Sequence, residues 1–186
     1  HDATSGSVGA GTGACAGKVR GGVGTALVDV SSFSVAAVVV ANPVGQVIDA
    51  ETGRLFGAPG VPAVDVERFA AARSLAESFA ESSRLNTTIG AVLTDAPLSK
   101  AQTKRLALAG HDGIARAVRP AHSPLDGDTL FAASSGVRSA ERGIGPAELA
   151  SLSAAAADAV EAAIVDAVVS ASPGLGLEAY SSLRAC

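Results

Sequence analysis

The sequence contains no tryptophan and no methionine, and aromatic residues make up only 3% of it. A hydrophobic core must therefore be built from small aliphatic side chains, mainly alanine and valine, with 21 glycines allowing close packing. Hydrophobic residues still account for 48% of the 186 residues. The chain is thus long and apolar enough to form one domain, 1–186, with a core of its own.

Three further absences restrict the function. Formal net charge is −4, and no basic stripe with interleaved aromatic residues is present, which argues against nucleic-acid binding. No apolar run approaches about 20 residues, so the sequence predicts no membrane span. Only two cysteines occur, Cys15 and Cys186, too few for a disulfide framework or a zinc site. We interpret both as reduced thiols and expect a cytoplasmic protein.

The glycine-rich residues 1–22 contain two nucleotide-binding patterns that fail on context. Gly9 to Ala14 fits G-x-G-x-x-A, but no strand is predicted before it and Gly17 breaks any helix after it. Gly17-Lys18 lacks the Ser or Thr that follows the lysine of a phosphate loop. We predict a loop that brings backbone close to another strand or to a substrate, and no cofactor.

The rest of the chain alternates predicted strands and helices. The strand at 35–41 is almost continuously apolar, as expected for a strand covered on both faces. Ser99 and Gln102 form a capping box at the start of one helix, and Pro146 opens another. Strands are predicted at 23–30, 35–41, 88–94 and 129–134, and helices at 65–83, 99–118 and 146–170, with a loop over 46–62. This order predicts a layered α/β fold.

The pair Asn86-Thr87 lies between the polar end of a predicted helix and the start of an apolar strand. The Thr87 hydroxyl can attack the Asn86 carbonyl, and chain cleavage then leaves Thr87 as a new N-terminus. Such a threonine carries nucleophile and base in one residue, because its α-amine has a pKa of roughly 7.7–8.0. Asn86-Thr87-Thr88 also fits a glycosylation sequon or an ordinary turn.

Three downstream segments share a resemblance with a known family. They read Thr94-Asp95-Ala96-Pro97-Leu98-Ser99-Lys100-Ala101-Gln102, Ala109-Gly110-His111-Asp112-Gly113-Ile114-Ala115-Arg116-Ala117 and Pro120-Ala121-His122-Ser123-Pro124-Leu125-Asp126-Gly127-Asp128-Thr129. With Asn86-Thr87, they resemble the P1 peptidase family of DmpA-type aminopeptidases and 6-aminohexanoate (nylon) oligomer hydrolases. The match covers roughly the last two thirds of the chain closely and the glycine-rich opening more loosely.

This resemblance implies a four-layer αββα sandwich like that of amino-terminal-nucleophile hydrolases, with different connectivity. It also implies that the chain is the C-terminal part of a longer precursor. Residues 1–86 would end the α segment, and residues 87–186 would form the β segment after self-cleavage. The missing N-terminal part would supply further sheet strands and part of the substrate pocket, and several αβ units would assemble into a homo-oligomer.

The resemblance also assigns roles to individual residues. Thr87 would be the nucleophile, Asn42 a donor to the developing oxyanion, and Lys18 a charge near the new α-amine. Asp126 and Asp128 would orient that amine. Each has a simpler alternative: a strand-start threonine, a turn-capping asparagine, a surface lysine and a pair of turn residues. Two carboxylates without further ligand spacing are weak support for a metal, and we predict none.

His111-Asp112 and His122 could indicate a Ser-His-Asp triad. However, no G-x-S-x-G elbow is present, and His111 falls inside a predicted helix. We interpret both histidines as satisfied core or surface residues.

The leading interpretation is a self-processing N-terminal-threonine hydrolase. Its substrates would be small peptides, amino-acid amides or ω-amino-acid oligomers. One alternative is an acyltransferase similar to the ornithine acetyltransferases, which also cleave themselves before a threonine. The other is a truncated subunit without catalytic activity.

Overall fold

A computed structural model describes residues 4–78, 86–138 and 143–184. A short 3-10 turn at Gly9–Gly11 precedes six strands and four helices in these residues. The strands are β1 (Cys15–Ala16), β2 (Val19–Arg20), β3 (Gly22–Val30), β4 (Phe33–Ala41), β5 (Ile89–Thr94) and β6 (Thr129–Ser134), and the helices are α1 (Val66–Ser78), α2 (Lys100–Ala117), α3 (Pro146–Val169) and α4 (Tyr180–Leu183).

The main sheet has four strands in the order β3-β4-β5-β6. β3 and β4 form an antiparallel hairpin, and β4 and β5 are also antiparallel. β5 and β6 run parallel, and the chain between them passes through α2. β1 and β2 form a separate two-stranded hairpin.

One face of this sheet carries the core. In β4 the alternate residues from Phe33 to Ala41 are buried, and α2 and α3 cover this face. The helices approach the sheet and each other closely because small residues lie at the contacts. A Cβ on Gly24 would come within 1.9 Å of the Ala163 carbonyl oxygen in α3, and one on Gly113 of α2 within 2.2 Å of the Ala157 carbonyl oxygen. A core poor in aromatics is thus compensated by short distances between backbones.

The other face of the sheet is apolar and exposed in the described part of the chain. Leu27, Val38, Leu93 and Phe131 come from all four strands, and Phe131 is 60% exposed. The register aligns Val38 with Ala91 and Ala91 with Phe131, so these side chains form one continuous surface. The prediction that the strand at 35–41 is covered on both faces is therefore not met within the described residues. They supply one sheet and one helical layer, which are two of the four expected layers.

The predicted strands and helices are confirmed, with shifts of one or two residues at most of their ends. The Ser99 hydroxyl accepts a hydrogen bond from the Gln102 N–H at 3.3 Å, and the Gln102 side chain accepts one from the Ser99 N–H at 2.9 Å. Pro146 is the first residue of α3. The predicted continuation of α1 over 79–83 lies outside the described residues.

The prediction of a plain loop over residues 1–22 was wrong. This segment contains the 3-10 turn and the β1–β2 hairpin, whose two-residue strands are too short to show any hydrophobic period. The four-residue helix α4 was not predicted either. Cys15 is buried, whereas Cys186 lies outside the described residues. Among the helices described, we find none that combines the length and the apolar character needed to cross a membrane.

Candidate active site

The sheet register brings three chain segments together at one edge. Because β4 and β5 are antiparallel, the end of β4 lies beside the start of β5, with Val40 opposite Ile89. β5 and β6 are parallel, so the start of β6 lies there too, with Ile89 opposite Thr129. Asn42, the pair Asn86-Thr87 and the turn at 126–128 therefore converge, although they are far apart in the sequence.

Hydrogen bonds from both residues fix the peptide bond between Asn86 and Thr87. The Thr87 hydroxyl donates to the Asn86 carbonyl oxygen at 2.5 Å, and the Thr87 N–H donates to the Asn42 carbonyl oxygen at 2.9 Å. The Asn86 side-chain amide donates to the Pro43 carbonyl oxygen at 3.1 Å. These contacts place a hydroxyl next to the carbonyl that self-cleavage would attack.

The Asn42 side chain connects this edge to the β1–β2 hairpin. Its Oδ1 accepts a hydrogen bond from the Cys15 N–H at 2.9 Å. This bond joins residues 27 positions apart, so it does more than cap the local turn. It also fixes the orientation of the amide, with Nδ2 as the donor group of the side chain.

The two aspartates bind different strand ends across Gly127. Asp126 accepts from the Val44 N–H at 3.0 and 3.2 Å through its two oxygens. Asp128 accepts from the Thr88 N–H at 3.0 Å, next to Thr87. Burial raises the pKa of the Asp126 carboxyl, the Val44 N–H opposes this shift, and the nearby Asp128 charge raises the pKa further. A simple turn would also explain two aspartates in this spacing. Here, however, the two carboxylates bind two different backbone segments, one at Val44 and one at Thr88.

His122 belongs to this cluster as well. Its Nδ1 lies 2.9 Å from Oδ2 of Asp128, whose side chain is only 5% exposed. The His111 ring, from α2, lies with its centroid 5.1 Å from that of His122. Burial and the neighbouring His122 lower the pKa of His111. The sequence placed both histidines outside the site, and nothing in the local pattern around His122 indicates its contact with Asp128.

The β1–β2 hairpin carries two cations with different surroundings. Lys18 lies in the turn of the hairpin and is half-buried, and the neighbouring Gly17 N–H donates to the Pro43 carbonyl oxygen at 3.1 Å. Arg20 is only 3% exposed and donates to the Thr12 carbonyl oxygen at 2.6 Å. Its Nε and Nη1 are buried without a hydrogen-bond partner in the part of the chain that is described. The sequence pattern indicates Lys18 as a site residue and does not predict the burial of Arg20.

Within residues 4–78, 86–138 and 143–184, no three or more histidine, cysteine or acidic side chains lie close enough together to hold a metal ion. The groups that the described residues bring to this edge are a hydroxyl, two carboxylates, the amides of Asn42 and Asn86, the imidazole of His122 and the surrounding backbone.

The fold defines the class of the protein, since it is that of the amino-terminal-nucleophile hydrolases. A β-aminopeptidase from a Burkholderia species superposes with a TM-score of 0.63 at 28% identity, over 91% of this chain and 48% of that one. The L-aminopeptidase D-Ala-esterase/amidase of Ochrobactrum anthropi gives 0.62 at 28% identity, over 91% and 46%, and its structure is described as a new variant of the Ntn hydrolase fold. The fold class expected from the sequence is confirmed.

The chain belongs to peptidase family S58, whose family model matches residues 1–180. An uncharacterized aminopeptidase of Mycobacterium tuberculosis is 40% identical over 198 residues, covering 98% of this chain and 57% of the relative. A 6-aminohexanoate-oligomer endohydrolase of Paenarthrobacter ureafaciens is 34% identical over 145 residues, covering 68% and 38%. The chain therefore spans little more than half the length of the aminopeptidase relative and less of the endohydrolase.

Proposed function

We propose that this chain is the nucleophile-bearing part of a self-processing hydrolase that cleaves amide bonds in small peptides, amino-acid amides or ω-amino-acid oligomers. The observation that carries the proposal is the contact of 2.5 Å between the Thr87 hydroxyl and the Asn86 carbonyl oxygen. Family membership supports the reaction class, since relatives include proteins named as aminopeptidases and as an oligomer endohydrolase.

Self-cleavage begins when Thr87 Oγ attacks the carbonyl carbon of Asn86. A C–O bond forms, the C–N bond breaks, and the hydroxyl proton passes to the departing Thr87 nitrogen, which gives an ester. Water then hydrolyses the ester. The products are a carboxylate on Asn86 and a Thr87 residue with a free hydroxyl and a free α-amine.

In turnover, the Thr87 α-amine takes the proton of the hydroxyl as Oγ attacks the substrate carbonyl. The Asn42 amide donates to the oxyanion, and the amine returns the proton to the leaving nitrogen. Water then resolves the acyl-enzyme. Asp128 is anchored to the Thr88 N–H, one residue from the amine, and we assign it and Asp126 the role of orienting that amine. Lys18, in the turn beside the Asn42-Pro43 segment, supplies a positive charge that favours the neutral form of the amine.

The exposed apolar face of the sheet supports the proposed relation to a longer precursor. Contiguous apolar surface of this kind marks a contact with another structural layer. The matched aminopeptidase relative extends well beyond the region that this chain covers. We assign this face to a second sheet supplied by the rest of the precursor, and we expect the complete αβ units to form a homo-oligomer. The cytoplasmic location stays a prediction.

Intact mass and N-terminal sequencing of the full-length protein test the proposal. We expect cleavage between Asn86 and Thr87, with a C-terminal fragment that begins Thr-Thr-Ile-Gly. Thr87→Ala should remain uncleaved and inactive, whereas Thr87→Ser should retain some of both activities because it keeps the hydroxyl.

Thr88→Val provides the matched control. The Thr88 side chain is fully buried and its hydroxyl has no hydrogen-bond partner among the described residues, so valine keeps the shape and should leave cleavage intact. A wild-type protein that hydrolyses amides as a single uncleaved chain would refute the mechanism. Transfer of the acyl group to ornithine in preference to water would instead support the acyltransferase alternative.

A further inference from the structure

We propose that Gly127 forms the oxyanion site of the self-cleavage step. Its backbone N–H holds the oxygen of the Asn86 carbonyl, and its missing side chain leaves room for the Thr87 hydroxyl. This inference rests on the proposed function, because it concerns the bond whose cleavage activates Thr87.

The register of the sheet places the Gly127 N–H next to the Asn86 carbonyl oxygen. Asn86 and Asp126 form a parallel bridge just before the paired strands β5 and β6 begin. The Gly127 N–H donates to the Asn86 carbonyl oxygen at 3.2 Å, and the Thr129 N–H donates to the Thr88 carbonyl oxygen at 2.9 Å. The contact at the scissile carbonyl is thus the first step of a parallel ladder that the whole β5–β6 pair holds in place.

Two donors meet the Asn86 carbonyl oxygen in the uncleaved chain. One is the Thr87 hydroxyl, and the other is the Gly127 N–H. When the hydroxyl oxygen attacks, its proton leaves, so this hydrogen bond is lost as negative charge develops on the carbonyl oxygen. The Gly127 N–H remains in place during that step. A donor fixed in advance where charge appears stabilises the transition state.

The absence of a side chain at position 127 has a steric role. A Cβ there would lie 2.8 Å from Thr87 Oγ1, and 3.6 Å from Thr87 Cγ2. The φ of Gly127 lies outside the left-handed region, so the backbone accepts an alanine and only the contact with the nucleophile opposes it. Thr87 is β-branched, and its hydroxyl cannot turn away without moving its methyl group. Serine carries the same Oγ and meets the same contact, and a rotamer that relieves it takes the oxygen away from the Asn86 carbonyl.

The test compares cleavage rates of the full-length protein in cell-free synthesis, followed by gel and mass analysis. Gly127→Ala should slow cleavage at the 86–87 bond by roughly 10²-fold, the typical cost of a misplacement of about 1 Å. In the Thr87→Ser background the same substitution should slow cleavage by a similar factor, because the close contact is with the Oγ that serine also carries. Gly60→Ala is the control, because a Cβ at Gly60 meets nothing within 4 Å and its φ is not left-handed.

A second variant removes the donor without adding bulk. Glycolic acid at position 127, introduced by nonsense suppression, replaces the N–H with an ester oxygen and should slow cleavage by about 10²–10³-fold. The same ester at position 60 should have no effect. Unchanged melting temperatures of the alanine variants in the uncleavable Thr87→Ala background would show that the fold is kept.

The outcomes separate this inference from the proposed function. If the wild type does not cleave before Thr87, the proposed function fails. If the wild type cleaves there and both Gly127 variants cleave at the control rates, only the role of Gly127 is overturned. Slowing by Gly127→Ala in the threonine background but not in the serine background would overturn the steric fit to the hydroxyl of residue 87.

Discussion

Asp128→Asn separates two roles of one buried carboxylate, which are to accept the Thr88 N–H and to place a negative charge near the Thr87 amine. Asparagine keeps an oxygen for the Thr88 N–H but removes the negative charge. A hydrogen bond to a charged group contributes about 1.5–3 kcal/mol and one between neutral groups about 0.5–1.5 kcal/mol. The contact with His122 adds little, since that side chain is 41% exposed to water. We therefore expect Asp128→Asn to lower the free energy of unfolding by about 1 kcal/mol.

Asp128→Ala should cost more, because it leaves the N–H of the fully buried Thr88 without this acceptor. An unsatisfied buried donor and the lost bond together amount to about 3 kcal/mol. Both variants should be compared by thermal melting in the uncleavable Thr87→Ala background, so that one intact chain unfolds in every case.

Activity is measured with Asp128→Asn in the protein that keeps Thr87, after it has cleaved itself. Removing a negative charge near the Thr87 α-amine disfavours its protonated form, so the pKa that governs the active base should fall. The acidic limb of the pH–rate profile then moves to lower pH, and kcat falls at least about tenfold because the amine is no longer oriented. Chelation by EDTA should change nothing. Equal destabilisation by asparagine and alanine, together with an unmoved acidic limb, would refute the reasoning, and reactivation of an EDTA-treated enzyme by a divalent cation would point to a metal instead.

Three further substitutions test the remaining assignments. Asn42→Asp keeps the acceptor for the Cys15 N–H but removes the Nδ2 donor, so it should lower kcat as strongly as Asn42→Ala, by about 10²–10³-fold with little change in KM; a loss seen only with alanine would assign Asn42 a structural role. Asp126→Asn keeps an oxygen for the Val44 N–H and removes a charge that burial and Asp128 disfavour, which is why the Asp126 pKa is raised. At pH 7 it should therefore reduce kcat without lowering the melting temperature, and any gain in stability should disappear below the unfolded-state pKa near 3.8; a clear loss of stability at pH 7 would contradict this. His111 has a lowered pKa in the folded protein, so the unfolded chain binds a proton first as the pH falls through 6.5, and stability should decrease there. Melting temperatures between about pH 8 and pH 5 should show this decrease weakened in His111→Gln, and an unchanged pH dependence would exclude the His111 contribution.

The strands and long helices were predictable because their signals are local. Ser99 and Gln102 mark a helix start within four residues, Pro146 marks another, and Asn42-Pro43 marks the end of a strand. The β1–β2 hairpin gives no such signal, since two residues cannot display an alternation of polar and apolar side chains. Its position is set instead by contacts with distant residues, such as the bond from the Cys15 N–H to Asn42.

The candidate site also combines residues that local patterns indicate with contacts that they do not. Thr87 and the aspartates could be selected as candidates because a recognisable motif surrounds them, and the sheet register places these candidates at one edge. The contact of the Gly127 N–H with the Asn86 carbonyl and the burial of Arg20 depend on how separate segments meet. No pattern within one segment encodes such meetings. His122 reaches Asp128 across six residues of an irregular loop, whose shape has no simple sequence period.

Because three strand ends meet at Asn86-Thr87, cleavage under the proposed mechanism depends on correct pairing in the sheet. A slip of one residue between strands would turn each side chain to the opposite face, and the Gly127 amide and the Asp128 carboxylate would no longer reach their partners. A chain with misaligned strands would therefore stay intact and inactive. Under the proposed mechanism, cleavage would therefore show that the sheet was assembled in the right register, and it would restrict release of the nucleophile to molecules that have already folded.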